Sequence, residues 1–188
     1  IMDQLACFEA GTLVSTADGY KPIEAITTDD SVWSYNLDTG ELELKKVLQT
    51  YVKDVTHVLE IKTTDETIVV TEEHPFYIDG EWVSAKELEA GWLIKTNADS
   101  KKEIIVSITK QEKSIKVYNF EVADNHNYYV THSEFLVHND CNKPKKVHNP
   151  NVPSGFYDVR GLDNVTVYVG KGPLRRAMQS LRVKSGGK

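Results

Sequence analysis

Two residues in this chain could each break a neighbouring peptide bond without a cofactor, and a third is an ordinary candidate for acid–base work. Cys7 is the first. A free thiol titrates at about 8.5, so it is a usable nucleophile at neutral pH when a base or positive charge assists. Cys7 can attack the carbonyl of its own preceding residue, Ala6, and exchange an amide for a thioester. That exchange is uphill for an unstrained peptide, so it needs a distorted Ala6–Cys7 bond and protonation of the leaving amine. Asn139 is the second. Its side-chain nitrogen can reach its own backbone carbonyl, closing a five-membered succinimide and expelling Asp140. Intramolecular attack carries an effective concentration on the order of 10⁵ M or more when well oriented. The amide is a poor nucleophile, so it needs a base, and the developing oxyanion needs a donor. The third is His74, within Thr71-Glu72-Glu73-His74-Pro75-Phe76. Taken singly, each has a plainer role. A free Cys is usually a small buried hydrophobe, a lone His a core residue satisfied by a backbone carbonyl, and an Asn a cap or turn.

The elements that must position these residues read as short strands with turn signals between them. Thr12 to Thr16 is followed by the hairpin-type turn Asp18-Gly19, and Ser31 to Tyr35 is closed by Asp38-Thr39-Gly40. Glu41 to Leu44, Val47 to Val52, Val58 to Lys62, Thr67 to Thr71 and Ile104 to Ile108 continue the pattern. Lys116 to Val130, rich in Tyr, Val and Phe, suits paired strands. One helix is expected: Ser84-Ala85-Lys86-Glu87 has the form of a capping box, and Gly91 suits a helix C-terminus. A shorter turn, Pro22 to Ile26, opens on Pro where a missing amide proton costs nothing. Many short strands with sparse helix mean an all-β fold. No clean repeat is visible, although the strand-rich runs fall either side of the expected helix.

In combination these residues resemble the Hint family, the self-processing domain of inteins and hedgehog proteins. Cys7-Phe8-Glu9-Ala10-Gly11-Thr12-Leu13-Val14 is similar to its first block, and Thr71 with His74 to its second. Val117 to Val122 with His126-Asn127-Tyr128 is similar to the penultimate block, and Phe135 to Asn139 to the last. Bacterial intein-like and toxin-associated (pretoxin) members are the nearest in character. The resemblance implies a compact horseshoe of short antiparallel strands with one or two short helices, spanning residues 7–139. It implies autocatalytic cleavage of Ala6–Cys7 and Asn139–Asp140, with the flanking polypeptide as substrate and no cofactor. His74 then corresponds to the proton donor to the leaving amine, and the Thr71 hydroxyl helps to hold that amide. His126 is assigned to deprotonation of the Asn139 amide, and His138 to its carbonyl and leaving nitrogen. Three positions depart from splicing inteins. Asn119 stands where many carry Asp, and an amide cannot shuttle a proton; nearby Asp124 would substitute only if its loop turned inward. Asp140 stands where splicing needs Ser, Thr or Cys, so cleavage is expected with little or no splicing. Cys141 is a nucleophile displaced by one residue, able in principle to take the acyl group or to form a disulfide with Cys7.

Charge divides the chain. Residues 1–139 hold 12 Lys/Arg against 25 Asp/Glu, a net of −13, whereas residues 140–188 carry a net of +7. The expected organisation is a flanking segment 1–6, the acidic module 7–139, a linker 140–154 and a basic module 155–188, a small partial α+β tail. Gly155-Phe156-Tyr157 and Tyr168-Val169-Gly170 resemble the opening of a GIY-YIG nuclease, which makes Tyr157, Tyr168, Arg175 and Arg176 candidates around a scissile phosphate. No acidic residue follows Asp163, so the family's metal ligand is missing and the module looks truncated. The plainer reading is a hairpin with a basic helix, Pro173 to Arg182. Either would bind phosphates non-specifically. Expected partners are therefore the chain's own flanks, nucleic acid through the tail, and an immunity protein if the tail is a toxin; a monomer within a larger secreted or surface-delivered bacterial toxin is expected.

The remaining arithmetic excludes other classes. Forty per cent apolar residues and 17 aromatics permit a packed core. No apolar run approaches the roughly 20 residues that span a bilayer, and Ile1 to Ala10 lacks the positive charge of a signal peptide. Two cysteines exclude a disulfide scaffold, and His126, His132 and His138 lack carboxylate or thiol partners for a metal site. Two further functions stay open: a trans-acting thiol peptidase using Cys7, His74 and Asn139, and a non-catalytic delivery module for the tail.

Overall fold

The computed structural model describes residues 6–97 and 101–139, together with the strand backbones at 156–160 and 166–171. The chain divides into two compact units, 1–146 and 147–188. In chain order the first contains β1 (Phe8–Glu9), β2 (Leu13–Thr16), β3 (Gly19–Pro22), β4 (Ser31–Asn36), β5 (Glu41–Thr63) and β6 (Thr67–Val70). There follow β7 (Pro75–Ile78), β8 (Glu81–Ser84), β9 (Leu93–Lys95), β10 (Lys102–Val122), β11 (Asn127–Val130) and β12 (Phe135–His138). These form one antiparallel sheet in the order β8-β7-β12-β11-β2-β4-β5-β6-β1-β10-β9, with β3 on β2 and a direct β5–β10 pairing, a compact horseshoe.

The all-β expectation holds, with two corrections. The segments read as separate short strands fuse into β5, 23 residues long, and β10, 21 residues long. Neither span contains Gly or Pro, so nothing interrupts the ladder between the apolar runs. Bulges at Ile105/Ser107, Glu112/Ile115 and Glu121/Val122 absorb the changes of register instead. The expected helix at Ser84 is only a 3-10 turn, Ala85–Glu87, and Ser84 makes no side-chain capping bond. Of the two amides such a cap would serve, that of Lys86 already donates to the Glu72 carbonyl, and the neighbouring Ala85 N–H ties the start of the turn to the His74 carbonyl. Buried Leu88 then returns to extended backbone. Gly91 does adopt a left-handed φ of 90°, but it aims its amide at the Ile105 carbonyl and ends no helix.

A duplication, hinted at in the sequence only by strand-rich runs either side of the expected helix, accompanies this turn. Hairpin β2–β3 leads into a 3-10 turn, Ile23–Ala25, then β4 and long β5; hairpin β7–β8 leads into Ala85–Glu87, then β9 and long β10. Pro22 and Ser84, the residues from which these turns start, hold nearly the same dihedrals. Ile23 N–H donates to the Thr12 carbonyl at 2.8 Å, as Ala85 N–H does to that of His74.

The core lies where these layers meet, built on Phe8, Val14, Val32, Ile61, Ile68, Phe76, Phe120, Tyr128 and Phe135. Each fully buried side chain of this size contributes roughly 1.5–3 kcal/mol. Two elements are decisive for function. β1 is only two residues long but lies between β6 and β10, with Phe8 opposite both Val70 and Tyr118. β12 lies between β7 and β11, with Val137 opposite Phe76 and His138 opposite Asn127. Both boundaries of the module are thus drawn into the sheet interior, and the segment Thr71–His74, which joins β6 to β7, runs between them. In the second unit, β13 (Phe156–Arg160) and β14 (Thr166–Lys171) form an antiparallel hairpin with Val159 opposite Tyr168.

Candidate active site

Pairing of β1 with β6 and β10 buries Ala6 and Cys7 completely. Thr71 holds the Cys7 backbone at both ends. The Cys7 N–H, the nitrogen of the Ala6–Cys7 bond, donates to the Thr71 hydroxyl at 2.9 Å, and the Thr71 N–H donates to the Cys7 carbonyl at 2.9 Å. His74 follows one turn later, its N–H donating to the Thr71 carbonyl at 3.2 Å. Its ring is fully buried, with its centroid 4.1 Å from that of Phe8. Neither ring nitrogen has a hydrogen-bond partner by normal geometry among the described residues, although the Ala6 backbone is near enough to act on the ring's protonation. Burial, reinforced by His138, pushes the His74 pKa down to about 3, against a smaller opposing effect of that backbone. His74 is therefore neutral at pH 7.

This neutrality makes the fold acid-sensitive. The unfolded His74 titrates at about 6.5, the folded one at about 3. Between those values the unfolded state binds the extra proton, so stability is full above about 6.5 and drains away as pH falls toward 3. Glu72, drawn down by its hydrogen bond from Lys110, changes in the same direction. In a cleavage-blocked chain, His74→Gln is expected to lose a few kcal/mol less stability than its parent between pH 7 and pH 4, read by urea denaturation. Equal pH dependence in the two chains would place the acid sensitivity elsewhere.

The second junction is built by β11 and β12. Asn139 and His138 are about nine-tenths buried, and Asn139 N–H donates to the His126 carbonyl at 2.9 Å. His126 has a left-handed φ of 54°. The turn is pinned by Asn127, whose side-chain oxygen accepts from Ser34 Oγ and the Tyr35 N–H, both at 2.8 Å. The rings of His126 and His138 lie 6.2 Å apart between centroids, and His138 packs edge-on against Trp82 at 4.9 Å. The Asn139 side-chain oxygen is buried with no hydrogen-bond partner among the described residues.

Asn119 joins the two junctions. Its Nδ2 donates to the Ala6 carbonyl at 2.5 Å and to the Asn139 carbonyl at 3.1 Å. Its Oδ1 accepts from the Phe120 N–H at 2.8 Å and the Tyr128 hydroxyl at 2.9 Å. Two donors on Oδ1 fix which way the amide faces. Tyr128 is wholly buried, which pushes its pKa well above the ordinary value, with Cys7 adding to the effect.

The residues singled out in the sequence thus divide. Cys7, Thr71, His74, His138, Asn139 and Asn119 converge, and Ala6 lies among them. His126 contributes its carbonyl from an exposed turn. Asp124 does not turn inward: its carboxylate is exposed and paired with Lys45 at 3.1 Å, on a left-handed turn that carries it away. His132 packs on Tyr20 instead of joining His126 and His138. Asp140, Cys141, Arg175 and Arg176 lie outside the described residues, and Tyr157 and Tyr168 belong to the β13–β14 backbone. Tyr128 was missed as a functional residue; the signal was a tyrosine hydroxyl in a strand too apolar to leave it in water.

This sheet, with both module boundaries delivered to one buried point, defines a bacterial intein-like protein. The solution structure of a bacterial intein-like domain from Clostridium thermocellum is 37% identical, with a TM-score of 0.66, and the match covers 71% of this chain and 98% of that one. A DnaX mini intein from Spirulina platensis is 28% identical at a TM-score of 0.60, covering 71% and 99%. A DnaB intein from Synechocystis is 25% identical at 0.61, covering 72% and 99%. Residues 13–140 match the pretoxin HINT domain, and the chain belongs to that family. A search of curated proteins gave no match.

Proposed function

We propose that residues 7–139 cut their own chain at both boundaries, releasing the basic C-terminal segment with little or no splicing. The observation that carries this reading is the convergence of the Ala6 and Asn139 carbonyls on one side-chain nitrogen, beside a cysteine and a neutral histidine. At the first junction Cys7 Sγ bonds to the Ala6 carbonyl carbon, the carbon–nitrogen bond breaks, and the thiol proton ends on the freed Cys7 amine. A histidine this weakly basic is a strong acid once protonated, which suits handing the proton to the nitrogen that Thr71 holds. Water then hydrolyses the thioester. At the second junction the Asn139 side-chain nitrogen bonds to its own carbonyl carbon and the bond to Asp140 breaks. One amide proton passes to the leaving nitrogen, with His126 as base and His138 as donor. Asp140 supplies no strong nucleophile, so the two cuts proceed separately.

The toxin-associated character of the family favours a tail that acts after release, as a +7 module meeting nucleic acid or an immunity protein. A nuclease reading of the tail rests on its sequence resemblance alone. Complete burial of Cys7 disfavours a peptidase acting on added substrate. Intact mass of freshly purified chain, followed over time with and without dithiothreitol, tests the proposal. One equivalent each of a fragment beginning at Cys7 and a fragment ending at Asn139 is expected, with the first cut faster in thiol because thiol intercepts a thioester far better than water. Turnover of added peptide, or a chain that stays whole, would overturn it.

A further inference from the structure

Asn119 is more than a substitute for a carboxylate. Resting on the cleavage reading above, we propose that its side-chain amide is the oxyanion donor for both cuts, one N–H for each carbonyl. Negative charge develops on the Ala6 oxygen when sulfur attacks, and on the Asn139 oxygen when the succinimide closes. Nδ2 already donates to both of these oxygens in the uncut chain, in a buried setting. A donor fixed in place before reaction stabilises developing charge without having to reorganise. The fixing comes from the other end of the amide. Phe120 N–H and Tyr128 hydroxyl both donate to Oδ1, and turning the amide over would set that oxygen against two carbonyls and its hydrogens against two donors. Tyr128 is thus a positioning residue.

The amide has a property that a carboxylic acid lacks. It offers two hydrogens at every pH, whereas an acid offers one, and only while protonated. Asn119 can therefore serve both carbonyls at once, and neither service titrates.

The test uses the full chain and reads the two cuts separately by mass. Asn119→Ala is expected to slow each by roughly 10²-fold. Asn119→Asp is expected to make both rates fall as pH rises from 5 to 8, a falling limb absent from the parent, because the acid must be protonated to donate. Tyr128→Phe keeps the packing but leaves Oδ1 with one donor, so it should slow both cuts in parallel, by less than Asn119→Ala. Infrared spectra of chains carrying carbon-13 at the Ala6 or Asn139 carbonyl give a second reading in protein shown to be folded by circular dichroism. Both bands should move to higher frequency in Asn119→Ala as a hydrogen bond is lost. A parent that cuts both bonds while folded Asn119→Ala keeps its rates, or loses only one of them, overturns the shared donor and leaves the cleavage function standing. A parent that cuts neither bond overturns both.

Discussion

Asn139→Ala is expected to abolish release of residues 140–188 completely while cleavage before Cys7 continues. Only the Asn139 side chain can close on the Asn139 carbonyl; no other amide among the described residues meets that carbonyl except Asn119, which donates to its oxygen. The methyl group retains nothing nucleophilic, so the loss should be absolute. Stability should change little, since the side-chain oxygen removed is buried with no hydrogen-bond partner among the described residues, and an orphan of that kind costs about 1–3 kcal/mol where it stands, which offsets the packing lost. In the proposed mechanism the first cut draws on Cys7, Thr71, His74 and Asn119, and the substitution leaves each of these side chains, and the Asn139 carbonyl that Asn119 meets, in place. Mass spectrometry decides the matter: a fragment beginning at Asp140 from this variant would exclude cyclisation as the route.

Cys7→Ala should have the mirror effect, eliminating the Ala6–Cys7 cut and leaving tail release within several-fold of the parent. In the proposed mechanism the thiol is the nucleophile at that bond, while cyclisation uses Asn139, His126 and His138 at the β11–β12 junction with Asn119 of β10. Replacing a small buried Cys by Ala leaves a cavity of about one sulfur atom, a cost on the order of 1 kcal/mol, so the fold should survive. The variant should also lose the response to dithiothreitol. If both cuts vanish in a folded Cys7→Ala chain, the two reactions are coupled more tightly than Asn119 and Asp140 imply. Continued cutting directly after Ala6 in this variant would show that no thioester is involved.

How much of this could be read in the residues alone depends on how local the information is. Cys7 and Asn139 were legible because their reactivity belongs to the side chain and their place to the module's boundaries. Thr71 and His74 were legible as a pair only through the resemblance to the Hint family; the structure adds that His74 N–H closes a turn onto the Thr71 carbonyl. The role of Asn119 was not, because it depends on register: β10 must pair with β1 at Tyr118 opposite Phe8 before Asn119 can reach Ala6. Asp124, five residues further on, reads as a substitute acid only if its loop turns inward, and only the turn after β10 shows it facing Lys45 and solvent. The Ser84 capping box failed for a comparable reason. Its four residues satisfy a local rule, but carbonyls distant in sequence, at His74 and Glu72, hold the Ala85 and Lys86 amides, and the chain is extended again by Leu88. The length of β5 and β10 was hidden by charged residues such as Lys53 and Asp54, which face solvent on a two-stranded stretch and break the apolar pattern without breaking the strand.

The two-residue strand β1 also carries a consequence for the order of synthesis. It leaves the ribosome near the start of the module, yet its partners are Val70 and, more than a hundred residues later, Val117 and Tyr118. Until β10 has been made, Cys7 has neither its second neighbouring strand nor the amide at Asn119. β12 is the last strand before the second cut, and its pairing partners lie upstream of it. The groups gathered around each junction therefore assemble only when the module has been translated almost to its end. Under the proposed cleavage, a chain that stalls or is degraded midway would keep its upstream segment attached, because the groups that would sever it have not yet been brought together. Completion of the module would then be the licence to cut.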